Sequence, residues 1–345
     1  MEGLRGLAVF LVFLVHYVTL AEPWMLRETL TWNLANSLRG IGHAGVDLFF
    51  VLSGYLIYGT LIVKVRPLLP YLRRRVQRIY PAFLAVFALY LLLSWLLPQE
   101  SKIPQGLLAA SVYLVANLLL LPGLFPIEPM ITVAWSLSYE MFYYLLVPSL
   151  IAVLNLRQQT RLARMAFFGA VAVLGLALAH WVGSSPVRLV MFVAGILLYE
   201  TLNAPKVPHL DRLGLAALLG GLVVIDQWAT GPLRYVVLFI SFYLLCLAAF
   251  RGNGLTTRLF CWTPLRWLGN MSYSYYLIHG LTLKAAFLLL SKVLPPSAGW
   301  GVAGFWGWMV PMFAVTLIPS TFLFAWVEKP LSLTMRRPPA HPSTD

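Results

Sequence analysis

Long apolar segments alternate with short charged loops along the whole chain. Windows of about 17 to 25 apolar residues are long enough to cross a bilayer as a helix. Ten of them occur, at residues 3–20, 44–63, 79–97, 135–154, 165–183, 186–202, 212–229, 232–250, 268–291 and 301–326. The pattern predicts an all-α, polytopic integral membrane helix bundle of about ten transmembrane helices. We expect one membrane domain over residues 1–335 and a disordered cytosolic tail over residues 336–345.

Composition supports a membrane protein and narrows its partners. Of the 345 residues, 60% are hydrophobic and 11% are charged, and the mean hydropathy is +0.80, whereas soluble domains carry about 25% charged residues. The net charge of +13 comes from loops between the apolar segments, where contact with membrane lipids explains it. We therefore expect no nucleic-acid partner. The two cysteines fit no metal-binding spacing, and we expect no metal.

The basic residues also predict the topology. An apolar stretch at residues 105–134 is interrupted by Asn117, Pro122 and Pro126. If it does not cross, and the N-terminus is cytosolic, the inner loops hold 17 Lys and Arg and the outer loops hold six, as the positive-inside rule requires. We therefore predict cytosolic N and C termini, with an outer-face or re-entrant element at 105–134.

Ionisable residues inside apolar segments are costly and mark candidate functional sites. Arg5 and His16 are eleven residues apart, which places them on one face of the first helix, about 16.5 Å apart. In the second segment, Asp47 shares a stripe with Phe50 and Gly54, and we expect it at the outer end of the span. Arg5 could also be a snorkelling anchor, His16 a structural histidine and Gly54 a packing residue.

Two later clusters repeat this combination of polar groups in apolar surroundings. Glu140 shares a helix face with Ser136 in the fourth segment. In the ninth segment, a stripe carries Ser272, Tyr275, Tyr276 and His279. Hydrogen bonding between helices is the simpler explanation for the tyrosines, but a second intramembrane histidine is more unusual.

Arg75 and Arg78 follow the second segment and are one helical turn apart. Arginine guanidinium groups suit phosphate oxygens, which they bind in bidentate fashion. A role in topology or in binding anionic lipid explains this cluster equally well on its own.

Five motifs in order resemble the membrane acyltransferase family 3, whose bacterial members O-acylate surface polysaccharides and related acceptors. They are GLRGLAVFLVFLVH, GVDLFFVLSGYLI, RRRVQRIYP, WSLSYEMFYYLLVP and SYSYYLIH. The resemblance covers essentially the whole chain. The family's Arg and His separated by ten residues match Arg5 and His16, its pair of arginines matches Arg75 and Arg78, and its Ser-Gly element matches Ser53 and Gly54.

The resemblance implies an integral membrane protein of the bacterial cytoplasmic (inner) membrane. It would move an acyl group, by our expectation acetyl, from cytosolic acyl-CoA as donor co-substrate to a hydroxyl of an extracytoplasmic glycan, a lipid-linked sugar or a small hydroxylated acceptor. The residues that we expect to bind the donor and its phosphates are Arg5, Arg73, Arg74, Arg75, Arg78 and Ser53.

The residues also suggest a mechanism. A neutral imidazole can take the proton from an alcohol, so His16 is the candidate general base. Glu140 or Asp47 would orient it, as the third member of a catalytic triad does, and the choice stays open. Candidate acceptor contacts or oxyanion donors are Trp135, Asn270, Tyr275, Tyr276 and His279.

We prefer direct transfer to an acyl-enzyme, because no cysteine or serine stands out as a nucleophile. The alternative function is a proton-coupled membrane transporter or a lipid-linked sugar flippase, since such carriers also bury His, Asp and Glu. The absence of a visible internal repeat disfavours it. An inert membrane scaffold is disfavoured by the number of buried ionisable residues.

Overall fold

A computed structural model describes residues 1–182, 184–204, 211–227, 231–251, 254–296 and 299–333. The predicted tail at 336–345 lies outside these residues. The named elements are all helical. The α-helices are α1 (Glu2–Ala21), α2 (Leu30–Gly42), α3 (Ala44–Ile62), α4 (Leu68–Leu96), α5 (Leu107–Leu118), α6 (Trp135–Val153), α7 (Arg161–Ala177), α8 (Ala179–Val182), α9 (Ser184–Val187), α10 (Val190–Leu202), α11 (Asp211–Gln227), α12 (Gly231–Arg251), α13 (Leu255–Phe260), α14 (Thr263–Asn270), α15 (Ser272–Val293) and α16 (Val302–Leu323). A π-helical stretch, Phe324–Leu333, continues α16.

This architecture confirms the prediction of an all-α, multi-pass membrane bundle. Over its described residues, each of the ten predicted segments is helical for most of its length, although three of them contain a break between two helices. Seven helical segments of the described chain are long and apolar enough to cross a membrane. The helices of the other three segments, α7, α10 and α11, have 17, 13 and 17 residues. The total of ten crossings and the side of each terminus stay predictions.

The stretch at residues 105–134 contains only one α-helix, α5, with 12 residues. At 1.5 Å per residue this helix is about 18 Å long, which is too short for a hydrocarbon core of about 30 Å. The following loop folds back on α5, because the Asn117 side chain accepts a hydrogen bond from Met130 N at 2.7 Å and donates one to the Glu128 carbonyl at 3.3 Å. The geometry therefore fits an element that does not cross.

Helix α1 lies in the middle of the bundle and contacts α2, α3, α14 and α15. Glycines permit the close approaches. A Cβ atom on Gly6 would collide with the Leu265 carbonyl oxygen, and one on Gly45 would collide with the Ala8 carbonyl oxygen. The opening GLRG stretch is therefore a packing surface as well as the site of Arg5.

Helices α2 and α3 together form one apolar segment, Leu30–Ile62, of 33 residues. Thr29 caps its start by accepting a hydrogen bond from Trp32 N. Asp47 lies in the first turn of α3, and its position at the outer end of the span stays a prediction. Its neighbour Gly45 packs against Ala8 and Leu11 in the middle of α1. Helix α2 is not one of the ten predicted segments, because its polar residues lower its hydropathy.

Helices α3 and α10 run side by side through a contact that depends on two glycines. A Cβ atom on Gly54 would overlap the Phe192 carbonyl oxygen, and one on Gly195 would overlap the Val51 carbonyl oxygen and lie 2.6 Å from Tyr55 N. The obstacles are backbone atoms, which cannot move aside as a flexible side chain can. This contact fixes the position of α10.

We expect Gly195→Ala to destabilise the protein by about 1–3 kcal/mol, because the added methyl group overpacks a helix contact. The matched control is Gly307→Ala in α16, where no atom lies within 4 Å of the new Cβ. Since alanine favours helix over glycine by about 1 kcal/mol, the control should be neutral or stabilising. Thermal unfolding of the two purified variants measures the difference, and equal melting temperatures would contradict this account of the α3–α10 contact.

Candidate functional site

The two ends of α1 define two ends of the bundle. Arg5 lies in the first turns of α1, and we call this the Arg5 end. At the opposite end, Trp24 donates a hydrogen bond to the Leu294 carbonyl oxygen at 2.8 Å, and its own carbonyl oxygen accepts one from Trp300 N at 2.6 Å. We call this the Trp24 end. His16 lies between the two, on the face of α1 that α15 contacts.

The structure brings the two intramembrane histidines together. The rings of His16 and His279 have centroids 4.9 Å apart and are inclined by 68°. His279 is fully buried, and its Nδ1 atom lies 3.0 Å from the carbonyl oxygens of both Tyr275 and Tyr276. Its Nε2 atom is buried without a hydrogen-bond partner among the described residues. His16 and His279 therefore form the centre of the candidate site.

The two tyrosines on the same helix already have partners. Tyr276 lies 2.9 Å from the Ser136 hydroxyl and donates to the Val133 carbonyl at 3.2 Å, while Tyr275 lies 2.8 Å from the Thr316 hydroxyl. To donate a hydrogen bond to an oxyanion, either hydroxyl would first have to give up its present hydrogen bond. Asn270 is exposed and follows Gly269, which touches the Glu2 backbone, so Asn270 lies at the Arg5 end.

Asp47 is fully buried and pairs with an arginine that sequence reasoning placed in an outer loop. Nη1 of Arg188 lies 3.3 Å from each Asp47 carboxylate oxygen, and the arginine side chain is 14% exposed. The Arg188 guanidinium also stacks over Trp135, 5.6 Å from the ring centroid. Trp135 and Asp47 thus belong to one buried ion-pair cluster. No contact between Asp47 and His16 occurs among the described residues.

Glu140 belongs to a second cluster, on the way to the Arg5 end. Its carboxylate accepts a hydrogen bond from Tyr144, and the guanidinium of Arg75 lies over the rings of Tyr144 and Tyr71, 4.9 and 5.1 Å from their centroids. The structure therefore places Glu140 beside the candidate phosphate-binding arginines.

Arg78 completes this cluster through a buried carboxylate. Its Nη1 atom donates to Glu328 Oε1 at 2.8 Å, and Glu328 Oε2 accepts from the backbone N and the hydroxyl of Ser274, at 3.1 and 2.6 Å. Arg5 has no ion-pair partner in the described part of the chain, and its buried Nε atom has no hydrogen-bond partner there. Positive charge is thus available around Arg5.

The other three predicted donor-binding residues differ in their exposure. Arg73 and Arg74 are exposed on the first turns of α4. Ser53 is buried in α3, next to the close contact between Gly54 and Phe192. The structure joins Arg5, Arg75 and Arg78 in one region and leaves Arg73 and Arg74 at its surface.

A cavity of about 300 Å³ connects His16 with the Trp24 end. Its walls come from α1, α4, α15 and the loop before α6, and most of its side chains are apolar. Examples are Leu20, Leu93, Ile131, Leu277 and Leu281. At its far end, Glu100 pairs with Lys284, and Lys102 pairs with Glu128 at 3.0 Å. Among the described residues, no three His, Cys, Asp or Glu side chains are grouped to hold a metal ion.

Two residues of the site escaped sequence reasoning. Arg188 lies in a predicted outer loop, and Glu328 lies just beyond the last predicted span at 301–326. A signal was present for Glu328, since a carboxylate inside an apolar helix needs a cation or a hydrogen-bond donor as partner. For Arg188, nothing in the local sequence distinguishes a buried arginine from a topological one.

Residues 1–327 match a family model described as an acyltransferase domain. The chain is 28% identical to O-acetyltransferase OatA of Staphylococcus aureus over 316 residues, covering 81% of this chain and 49% of OatA. It is 28% identical to acyltransferase MdmB of Streptomyces mycarofaciens over 384 aligned positions, covering 100% of this chain and 95% of MdmB. It is 31% identical to the putative membrane-bound transacylase BcsY of Komagataeibacter xylinus, covering 84% of this chain and 74% of BcsY.

The chain therefore spans about half the length of OatA and most of the length of the other two relatives. No solved structure matches the chain. The family model covers nearly all of the sequence. The chain belongs to the membrane acyltransferase family 3.

Proposed function

We propose that this protein is a membrane O-acyltransferase that moves an acyl group, by our expectation acetyl, from acyl-CoA to a hydroxyl group of an extracytoplasmic acceptor. The observation that carries the proposal is the position of His16. A paired histidine lies at the inner end of an apolar cavity, and unpaired positive charge lies on the opposite side, around Arg5. We place the Arg5 end in the cytosol and the protein in the bacterial inner membrane.

The donor's phosphates would bind around Arg5, Arg75 and Arg78. Guanidinium groups bind phosphate oxygens through charge-assisted hydrogen bonds. Arg75 stacks on two tyrosines, which orients its guanidinium without using up its N–H donors in an ion pair. The roughly 16.5 Å between the levels of Arg5 and His16 along α1 would be spanned by the donor's long pantetheine arm.

His16 would act as the general base. One ring nitrogen takes the proton of the acceptor hydroxyl while the hydroxyl oxygen attacks the thioester carbon. The tetrahedral intermediate then collapses, the C–S bond breaks, and His16 returns the proton to the departing sulfur. The products are an O-acyl ester and free CoA, and the histidine ends in the state in which it began.

The acceptor would enter through the cavity from the Trp24 end. Near His16 the polar side chains of the wall are few, namely Thr19, Tyr90, Ser94 and Thr132. A glycan segment buried there would leave several hydroxyl groups unpaired, at a cost of about 1–3 kcal/mol for each one. Among the acceptors expected from the resemblance, the walls favour a lipid-linked sugar or a small amphipathic molecule over a polymer chain.

The carrier alternative rests on the two buried ion pairs, Arg78–Glu328 and Arg188–Asp47, because buried charges also line transport pathways. The formation of reaction products distinguishes an acyltransferase from a carrier. Purified protein in nanodiscs is incubated with acetyl-CoA and n-octyl glucoside, an amphipathic sugar, as the acceptor probe. An acyltransferase forms acetylated octyl glucoside together with an equal amount of CoA, whereas a carrier forms neither product.

We expect His16→Gln to lower the rate of octyl glucoside acetylation by about 10²–10⁴-fold, the usual contribution of a general base. The KM for acetyl-CoA should change little, because His16 lies away from the arginines. His43→Gln is the matched control, since the His43 side chain is exposed. CoA release in nanodiscs measures both rates, and near-normal turnover by the His16 variant would remove His16 as the base.

We expect Arg75→Ala to raise the KM for acetyl-CoA about 10- to 100-fold, because a hydrogen bond to a charged group is worth about 1.5–3 kcal/mol. The value of kcat should fall less. The control is Arg258→Ala, which removes an exposed arginine outside the cluster. Initial rates over a range of acetyl-CoA concentrations give both constants. An unchanged KM would exclude Arg75 from the donor site.

A further inference from the structure

We propose that His279 is the positioning residue for His16: its Nε2 atom accepts a hydrogen bond from the N–H of His16 and holds that ring while the other ring nitrogen takes the acceptor's proton. This inference rests on the proposed function and names the partner that we expected to be a carboxylate. It also changes the role of His279, which we had considered as an oxyanion donor.

The hydrogen bonds of His279 determine which of its nitrogens carries the hydrogen. Nδ1 lies 3.0 Å from the carbonyl oxygens of Tyr275 and Tyr276, and a carbonyl oxygen can only accept. Nδ1 must therefore be the donor. A neutral imidazole carries one N–H, so Nε2 is left with a free lone pair. In this state His279 can accept a hydrogen bond but cannot donate one to an oxyanion.

The lone pair of Nε2 has no partner within the described residues, although the His279 side chain is completely buried. A buried acceptor without a hydrogen bond lowers stability, because it has lost its bond to water without gaining another. Such an atom in the interior of a bundle points to a partner that joins it in the working state.

The geometry around His279 leaves His16 as that partner. Tyr275 stacks on the His279 ring with a centroid distance of 5.1 Å and an angle of 11°, which covers one face of the ring. The His16 ring lies 4.9 Å away at 68°. At this separation, we expect a rotation of the His16 side chain to bring its N–H within reach of Nε2. His16 is half-buried and lines the cavity, so it has room to rotate.

The two carboxylates are engaged elsewhere. Asp47 is held by Arg188, and Glu140 accepts the Tyr144 hydroxyl beside Arg75. Removing either one from its partner would leave a buried charge unpaired, which is costly. His279 is the titratable side chain that the structure brings against His16, and it offers an acceptor that carries no charge of its own.

The proposed step balances without any further reactant. The cavity-facing nitrogen of His16 takes the acceptor's proton, and the other nitrogen keeps its hydrogen and donates it to Nε2 of His279. The positive charge of the His16 ring is stabilised by this bond. When the C–S bond breaks, the proton on the cavity-facing nitrogen passes to the sulfur. His279 keeps its Nδ1 hydrogen throughout.

The test compares His279→Phe with His279→Gln. Phenylalanine fills the volume but removes the acceptor, whereas the glutamine carbonyl oxygen can occupy the place of Nε2. We expect the Phe variant to lose about 100-fold in kcat for octyl glucoside acetylation, with an unchanged KM for acetyl-CoA. The Gln variant should stay within 10-fold of the wild type. Thr282→Val, one helical turn further along α15 and outside the cavity wall, is the control for substitutions in this helix.

The rate of a double variant tests whether His279 acts through His16. If it does, His16→Gln combined with His279→Phe is no slower than His16→Gln alone, because groups that work as a unit are not additive. Additive losses would overturn the proposal, and so would a Phe variant with kcat within threefold of wild type or a Gln variant as slow as Phe. If the Phe variant does not fold, His279→Asn replaces it, since asparagine reaches the Nδ1 position but supplies no acceptor at Nε2.

The proposed function can fail separately from this inference. Wild-type protein that acetylates no octyl glucoside, or a His16→Gln variant as active as the wild type, contradicts the function itself. An active wild type with an inactive His16 variant and a fully active His279→Phe variant contradicts only the role of His279.

Discussion

A charged or polar group inside a helix bundle in lipid must find a partner, because no water is there to replace one. The described interior meets this requirement with ion pairs that join elements far apart in the sequence. Arg78 of α4 binds Glu328 beyond α16, Arg164 of α7 binds Glu200 of α10, and Arg188 binds Asp47 of α3. Each pair ties two elements together at one depth and so restricts how they can slide past each other.

Several buried polar atoms of the described residues lack a hydrogen-bond partner, and two of them lie at the candidate site. Nε2 of His279 and Nε of Arg5 are buried polar atoms without hydrogen-bond partners among the described residues. The first belongs to the His16–His279 pair, of which His16 lines the cavity, and the second belongs to the cluster of arginines. At these two places the bundle leaves a buried acceptor and a buried donor open to a further partner. We interpret the first as the reaction centre and the second as part of the donor site.

Close packing between helices places these groups. Glycines at the contacts of α1 with α3 and α14 bring backbones together where a Cβ atom would collide with a carbonyl oxygen. The approach holds α1 in the centre of the bundle, so that the His16 ring meets α15. Tyr275 and Tyr276 then fix His279 through the carbonyl oxygens of their own helix turn. The histidine pair thus depends on the packing of α1 against its neighbours and on the local geometry of α15 around His279.

The sequence by itself determined the class of fold, the approximate limits of the helices and the residues most worth attention. Hydropathy and the cost of burying charge are local properties, so ten apolar segments and the motifs around Arg5, His16, Arg75 and His279 could be recognised without coordinates. Only the tertiary structure decided which of these residues meet. His16 and His279 are 263 positions apart, Arg78 and Glu328 are 250, and no local pattern states such pairings. Arg188 and Arg39 look alike in the sequence, yet one is buried against Asp47 and the other lies nearer the surface. The physical reason is that partners inside the bundle are chosen by helix packing, which depends on the shape of every neighbouring helix at once.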